Sequence, residues 1–111
     1  MKTVLFCIPL KKDCLNQYLN FAKESVKRPK EYREMCDRYD IQCVKIWHKN
    51  IGGKDHIFVY HEVGPNFAEK MKGWDSSQHP FDKWFRDSIM AVYDIQDASG
   101  MEQPTAVIEF K

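Results

Sequence analysis

Ile41-Gln-Cys-Val-Lys-Ile-Trp-His48 and His56-Ile-Phe-Val-Tyr-His-Glu-Val63, joined across Gly52-Gly53, read as the two strands of one β-hairpin. β-Branched and aromatic residues dominate both segments and alternate with polar ones, the period of a half-buried strand. Because successive side chains point to opposite faces, Gln42, Val44 and Ile46 are expected on one face together with Ile57, Val59, His61 and Val63. The opposite face then receives Cys43, Lys45 and Trp47 from the first strand, and His56, Phe58, Tyr60 and Glu62 from the second. The first set suits packing against helices; the second needs some other cover.

Working outward, residues 2–8 are densely apolar and end at Pro9, which predicts a buried, central first strand. After Asp13, a possible cap, Leu15, Tyr18, Leu19, Ala22 and Val26 recur at helical spacing. Pro29 interrupts, and Tyr32, Met35, Cys36 and Tyr39 resume the spacing, so a second helical segment is expected to restart with Pro29 in its first turn. Gly64-Pro65 closes the third strand, and Phe67, Met71 and Trp74 fit a short helix. Past Pro80, the face of Phe81, Trp84, Phe85, Ser88, Ile89 and Val92 predicts a longer one. The tail from Gly100, with Thr-Ala-Val-Ile-Glu-Phe after Pro104, predicts a final strand.

A chain of 111 residues without an internal repeat or linker is expected to form a single domain. It is 43% hydrophobic and 30% charged, as ordinary globular chains are, and its 17 basic and 16 acidic residues provide no net field to draw in nucleic acid or an anionic membrane. Cys7, Cys14, Cys36 and Cys43 lack Cys-x-x-Cys or matching histidine spacing, so neither a metal site nor any other cofactor is expected. The apolar stretch from Val4 is too short to span a membrane and has no small-residue cleavage site, which predicts a cytoplasmic protein with reduced thiols. A paired-disulfide framework is the alternative reading of an even cysteine count.

The element order is strand, split helix, strand, strand, split helix, strand. That order predicts an α+β, ferredoxin-like βαββαβ fold with a four-stranded antiparallel sheet and helices on one face. The uncovered face would carry Cys43, Trp47, Phe58 and Tyr60, an apolar patch of the kind monomers avoid, so a homodimer is expected.

With this order, the chain resembles the dimeric α+β barrel superfamily, which includes antibiotic-biosynthesis monooxygenases, EthD-like proteins and L-rhamnose mutarotases. The local likeness is to the mutarotases, through Phe58-Val-Tyr-His-Glu62 and Lys83-Trp-Phe-Arg86. The histidine that mutarotases carry one helical turn after a first-helix tyrosine has no counterpart, because Tyr18 is followed by Ala22. The last-helix histidine of haem-degrading relatives falls near Phe85, so no haem ligand is expected. The resemblance implies paired sheets and a small organic ligand or sugar held partly between sheet and helices. It also implies a cofactor-independent enzyme doing isomerase or monooxygenase-like proton-transfer chemistry. The alternative is a non-catalytic ligand-binding or protein-interaction dimer.

The candidate catalytic residues are Tyr60 and His61, with Lys45, Trp47, Glu62, Trp74 and Trp84 as candidate ligand-binding residues. A lysine, a phenol and a carboxylate beside apolar walls can exchange protons, since burial and mutual charge shift their pKa values towards neutrality. Lys45 and Glu62 read equally as a simple cross-strand ion pair. His61 alternates towards the helices, where it is either a satisfied structural group or a pocket group beside Trp74 and Trp84. His48 and His79 read as solvent or capping groups. Trp47, Trp74, Trp84, Phe81 and Phe85 could wall a pocket for a ring-shaped ligand, or could simply pack the core.

Overall fold

Both glycines of the hairpin turn, Gly52 (φ 60°) and Gly53 (φ 86°), adopt left-handed conformations, the geometry of a tight two-residue turn. The Gly53 N–H donates to Asn50 Oδ1 at 3.0 Å, closing it. In this computed structural model, which describes residues 2–95 and 102–111, the elements are β1 (Lys2–Pro9), α1 (Leu15–Val26), α2 (Pro29–Arg38), β2 (Ile41–Ile51), β3 (Lys54–Val63), α3 (Phe67–Met71) and α4 (Pro80–Val92). The fold is α+β, with an antiparallel three-stranded sheet in the order β1-β3-β2. No helix among the described residues is long and apolar enough to cross a membrane.

The register sorts the side chains into cross-strand rows. One face carries the rows Val4-His61-Val44, Phe6-Val59-Ile46 and Ile8-Ile57-His48, and the helices cover it except along β2, where Ile46 and His48 are exposed. The outer face carries Thr3-Glu62-Cys43, Leu5-Tyr60-Lys45 and Cys7-Phe58-Trp47. The hairpin alternation thus has the expected sense, with one correction. A bulge between Ile41 and Cys43 makes Gln42 the extra residue; it is exposed, and Ile41 takes the buried place.

Two other expectations change. β1 is an edge strand among the described residues, and its outer-face side chains Thr3, Leu5 and Cys7 are exposed. The fourth strand expected after Pro104 is not formed: residues 102–111 carry no regular structure, and the Gly100 part of that segment lies outside the described residues. The position beside β1 is nevertheless entered. Leu10 and Tyr93 form an antiparallel bridge, and the Asp94 N–H donates to the Pro9 carbonyl at 2.8 Å. Further along, the Leu5 N–H donates to Gln103 Oε1 at 2.8 Å, and Gln103 Nε2 donates back to the Leu5 carbonyl at 2.9 Å. A side-chain amide there meets the backbone groups that a neighbouring strand would otherwise satisfy.

The helices begin and pack for identifiable reasons. Asp13 sits at φ 61° just before α1 without capping it; Cys14 holds the cap position with no side-chain bond. Pro29 occupies the first turn of α2, as expected. His79 caps α4 by accepting the Phe81 N–H at 3.2 Å through Nδ1. Ile8, Leu10, Ile57, Val63, Phe81 and Val92 form the most buried part of the core. Asp82 is equally buried and accepts from the Arg38 guanidinium, from the Tyr39 hydroxyl at 2.7 Å and from Ser77 Oγ at 2.7 Å. One carboxylate therefore ties α2 and the loop before α4 to α4 itself.

Candidate functional site

Between the helix-facing rows of the sheet and α1, α2 and α4 lies a cavity of about 110 Å³. Its wall is almost wholly apolar, with Phe6, Tyr18, Tyr32, His61, Trp74 and Tyr93 as the groups that set its chemistry. The pleat of β3 delivers His61, and the apolar stripes of the helices deliver the tyrosines. A space this size leaves about 2–3 kcal/mol of packing unmade by the usual cost of cavity volume. An apolar void only slightly larger, about 150 Å³, stays dry and accepts a single aromatic ring.

His61 is the polar exception in that wall. Its Nδ1 is buried and has no hydrogen-bond partner among the described residues. Phe6 packs edge-on against the ring at a centroid distance of 6.0 Å. Burial lowers the imidazole pKa from 6.5 to about 4, so the ring is neutral at physiological pH. The other titratable groups of the wall move the opposite way. Burial, only partly opposed by the neighbouring Tyr93 hydroxyl, pushes Tyr18 up to about 12. Burial raises the Tyr32 and Tyr93 phenols as well, and pushes the Cys36 thiol up to about 11. All of these keep their protons at neutral pH. The cavity therefore offers one neutral imidazole and several phenol dipoles, and no charge.

A second, more open cleft of about 630 Å³ lies between α1, α2 and the free edge of β2, with Leu19, Val26, Arg33 and Trp47 on its walls. Tyr18, Tyr32, Cys36, Val44 and Ile46 line both spaces, so these five side chains form the partition between cleft and cavity.

The seven sequence-derived candidates separate into three places. His61 and Trp74 line the cavity together. Trp84 stands outside it, against Phe21 and Phe81, and the Arg28 guanidinium lies 4.8 Å from the ring centres of both Phe81 and Trp84. Tyr60, Lys45, Trp47 and Glu62 lie on the outer face, with Trp47 also at the rim of the cleft. Tyr60 and His61, adjacent in sequence, thus face opposite sides of the sheet and cannot meet the same ligand within one chain. Lys45 Nζ sits 5.6 Å above the Tyr60 ring, while the neighbouring Glu62 carboxylate raises the pKa of the Cys43 thiol; no Lys45–Glu62 ion pair is present among the described residues.

The residues that complete the cavity, Phe6, Tyr18, Tyr32, Tyr39 and Tyr93, were not among the candidates. The available signal was chemical: Tyr18, Tyr32 and Tyr39 sit at apolar helical spacing, where phenylalanine would fill the space without a hydroxyl to satisfy. His48 and His79 act locally, His48 on Asp55 at 2.8 Å and His79 as the α4 cap. No family model, curated protein or solved structure matches the chain.

Proposed function

We propose that the protein binds a small, neutral, ring-shaped organic molecule in the cavity between sheet and helices, with the partition side chains opening from the cleft to admit it. The observation that carries this reading is the buried, unpartnered Nδ1 of His61 in a wall otherwise built from apolar side chains and aromatic rings. A buried polar atom without a partner is costly, and a hydroxyl or N–H donor on the ligand would remove that cost. The same wall disfavours a free sugar, whose several hydroxyls would lose water without gaining partners. A phenol-type ring seated against His61, with any substituent lying in the cleft, matches both volume and polarity.

A binding role fits better than catalysis. A general base works best with a pKa near the operating pH, and His61 lies well below it. A second reading, cofactor-independent proton abstraction from an activated carbon acid by His61, rests on the same free nitrogen, but it places an imidazolium in an uncharged wall. The discriminating experiment measures binding of phenol, toluene and a monosaccharide to wild type and to His61→Phe by ligand-observed NMR. The binding reading expects saturable binding of phenol, weaker binding of toluene and none of the sugar, with the preference for phenol over toluene lost in the variant. Sugar binding in preference to phenol, or equal binding of both rings, would overturn it.

In this reading the architecture is ferredoxin-like. Its fourth strand position, beside β1, is marked by the Tyr93 bridge and by Gln103. Two copies pack their outer sheet faces together as a homodimer. Support comes from Leu5 and Trp47, 43% and 54% exposed on that face, with Cys7 and Phe58 between them.

A further inference from the structure

The tail after Gln103 is the most exposed apolar segment among the described residues: Val107, Ile108 and Phe110 are 91%, 83% and 94% exposed. Three such side chains in four positions, with Glu109 between Ile108 and Phe110, are an unusual stretch to leave in solvent. The start of this segment is fixed. Gln103 bonds both backbone groups of Leu5, on the free edge of β1 and at the border of the outer sheet face.

Chain arithmetic shows why the tail finds no seat along its own β1. The chain enters the edge position antiparallel to β1 at Leu10–Tyr93 and passes Leu5 at Gln103. Beyond Leu5, β1 offers only Lys2, Thr3 and Val4, whereas eight residues follow Gln103. A tail running on from Gln103 antiparallel to β1 would overrun that strand before reaching Val107.

We infer that the tail is a clasp: residues 104–110 of each copy lie along the β1 margin of the outer sheet face of a second copy, burying Val107, Ile108 and Phe110 beside Leu5 and Cys7 of that copy, while Trp47 and Phe58 meet sheet to sheet. This inference rests on the homodimer reading and goes beyond it by assigning the segment that locks the dimer. The occupant is a second copy because both apolar surfaces belong to the same chain and Gln103 starts the tail at the border of the face that needs covering. The receiving face balances Lys45 against Glu62, and the chain's net charge is only +1, so no field keeps two copies apart.

The native Cys7, exposed on that face, supplies the test. In the full-length chain carrying Cys14→Ser and Cys43→Ser, single cysteines are placed in turn at Thr105, Val107 and Glu109, and the protein is oxidised after circular dichroism has confirmed folding. The clasp expects covalent dimers whose peptide maps join Cys7 of one chain to the tail cysteine of another, from at least one position. Light scattering of the unmodified protein and of a version ending at Gln103 completes the test, with at least a tenfold weaker dimer expected for the shortened chain. Crosslinks confined to one chain, or none from any position, overturn the clasp. If the unmodified protein still scatters as a dimer in that case, the sheet-face pairing stands without it. A monomer overturns both.

Discussion

A buried imidazole nitrogen left without a hydrogen bond costs about 1–3 kcal/mol, and at His61 no group among the described residues offsets that cost. Replacing His61 with Phe, which keeps a flat ring and removes the orphaned nitrogen, is expected to raise stability by about 1 kcal/mol, measured by urea denaturation, while removing the preference for a hydroxylated ring. The pH dependence has a definite sign. In the unfolded chain His61 takes a proton near pH 6.5, but in the folded chain burial delays it to about pH 4. Stability is therefore full above pH 6.5 and falls as the pH is lowered towards 4, by up to about 3 kcal/mol from this residue. His61→Phe should flatten that slope relative to wild type over the same window; an unchanged slope would contradict burial of the ring. The tryptophans should also separate. Trp74→Ala enlarges the cavity and should change ring affinity, whereas Trp84→Ala, removing the partner of Arg28, Phe21 and Phe81, should cost about 3 kcal/mol of stability and leave phenol affinity near wild type.

At the scale of elements, two joints hold the helices over the cavity. Asp82 lies at the first, accepting from Arg38, Tyr39 and Ser77 with no exposure of its own. Burial pushes its carboxyl up, but those three hydrogen bonds prevail and hold the pKa below the ordinary range, so the joint is intact above ordinary carboxylate pKa values and weakens as acid protonates it. Asp82→Ala leaves Tyr39 and Ser77 without an acceptor and is expected to cost about 2–4 kcal/mol, read from the denaturation midpoint. The second joint is Gly64, where a Cβ would collide with the Asp40 carboxylate that accepts the Asn66 N–H at 2.9 Å. Gly64→Ala is expected to cost about 1–3 kcal/mol through loss of that contact, whereas Gly73→Ala, with only an ordinary neighbour at 3.6 Å, should cost less. The elements were largely legible beforehand because alternation in the hairpin and the stripes of α1, α2 and α4 are strong local signals. What was not legible depends on distant partners. The tail alternates as a strand should, yet residues 102–111 carry no regular structure, and the Gln103 side chain rather than a strand backbone meets Leu5. Gln42 alternates correctly, but the sheet inserts a bulge there. Among the site residues, the facing of His61 followed from the pleat, whereas the surrounding tyrosines come from two helix-borne positions, the C-cap of α2 and one bridge residue that only packing brings together.

For the whole molecule, one sheet has two distinct faces: its inner face lines the cavity around His61, and its outer face presents Leu5, Cys7, Trp47 and Phe58, where the proposed second copy would pack. Alternation along β3 makes these separable, because Phe58 and Tyr60 point away from the cavity that His61 faces. Trp47→Asp should therefore weaken the dimer by at least tenfold, seen by light scattering, with phenol affinity changed by less than about threefold, since a charge placed in an apolar contact costs more than 1.4 kcal/mol. The most direct test of the central claim is the ¹⁵N chemical shift of His61 Nδ1 during a titration with phenol near pH 7. The account predicts a neutral ring, with Nδ1 as the free acceptor before phenol is added. It also predicts a saturable upfield shift as the hydroxyl donates to that nitrogen. A ring already protonated at neutral pH, or an Nδ1 signal that stays fixed while phenol binds, would contradict it.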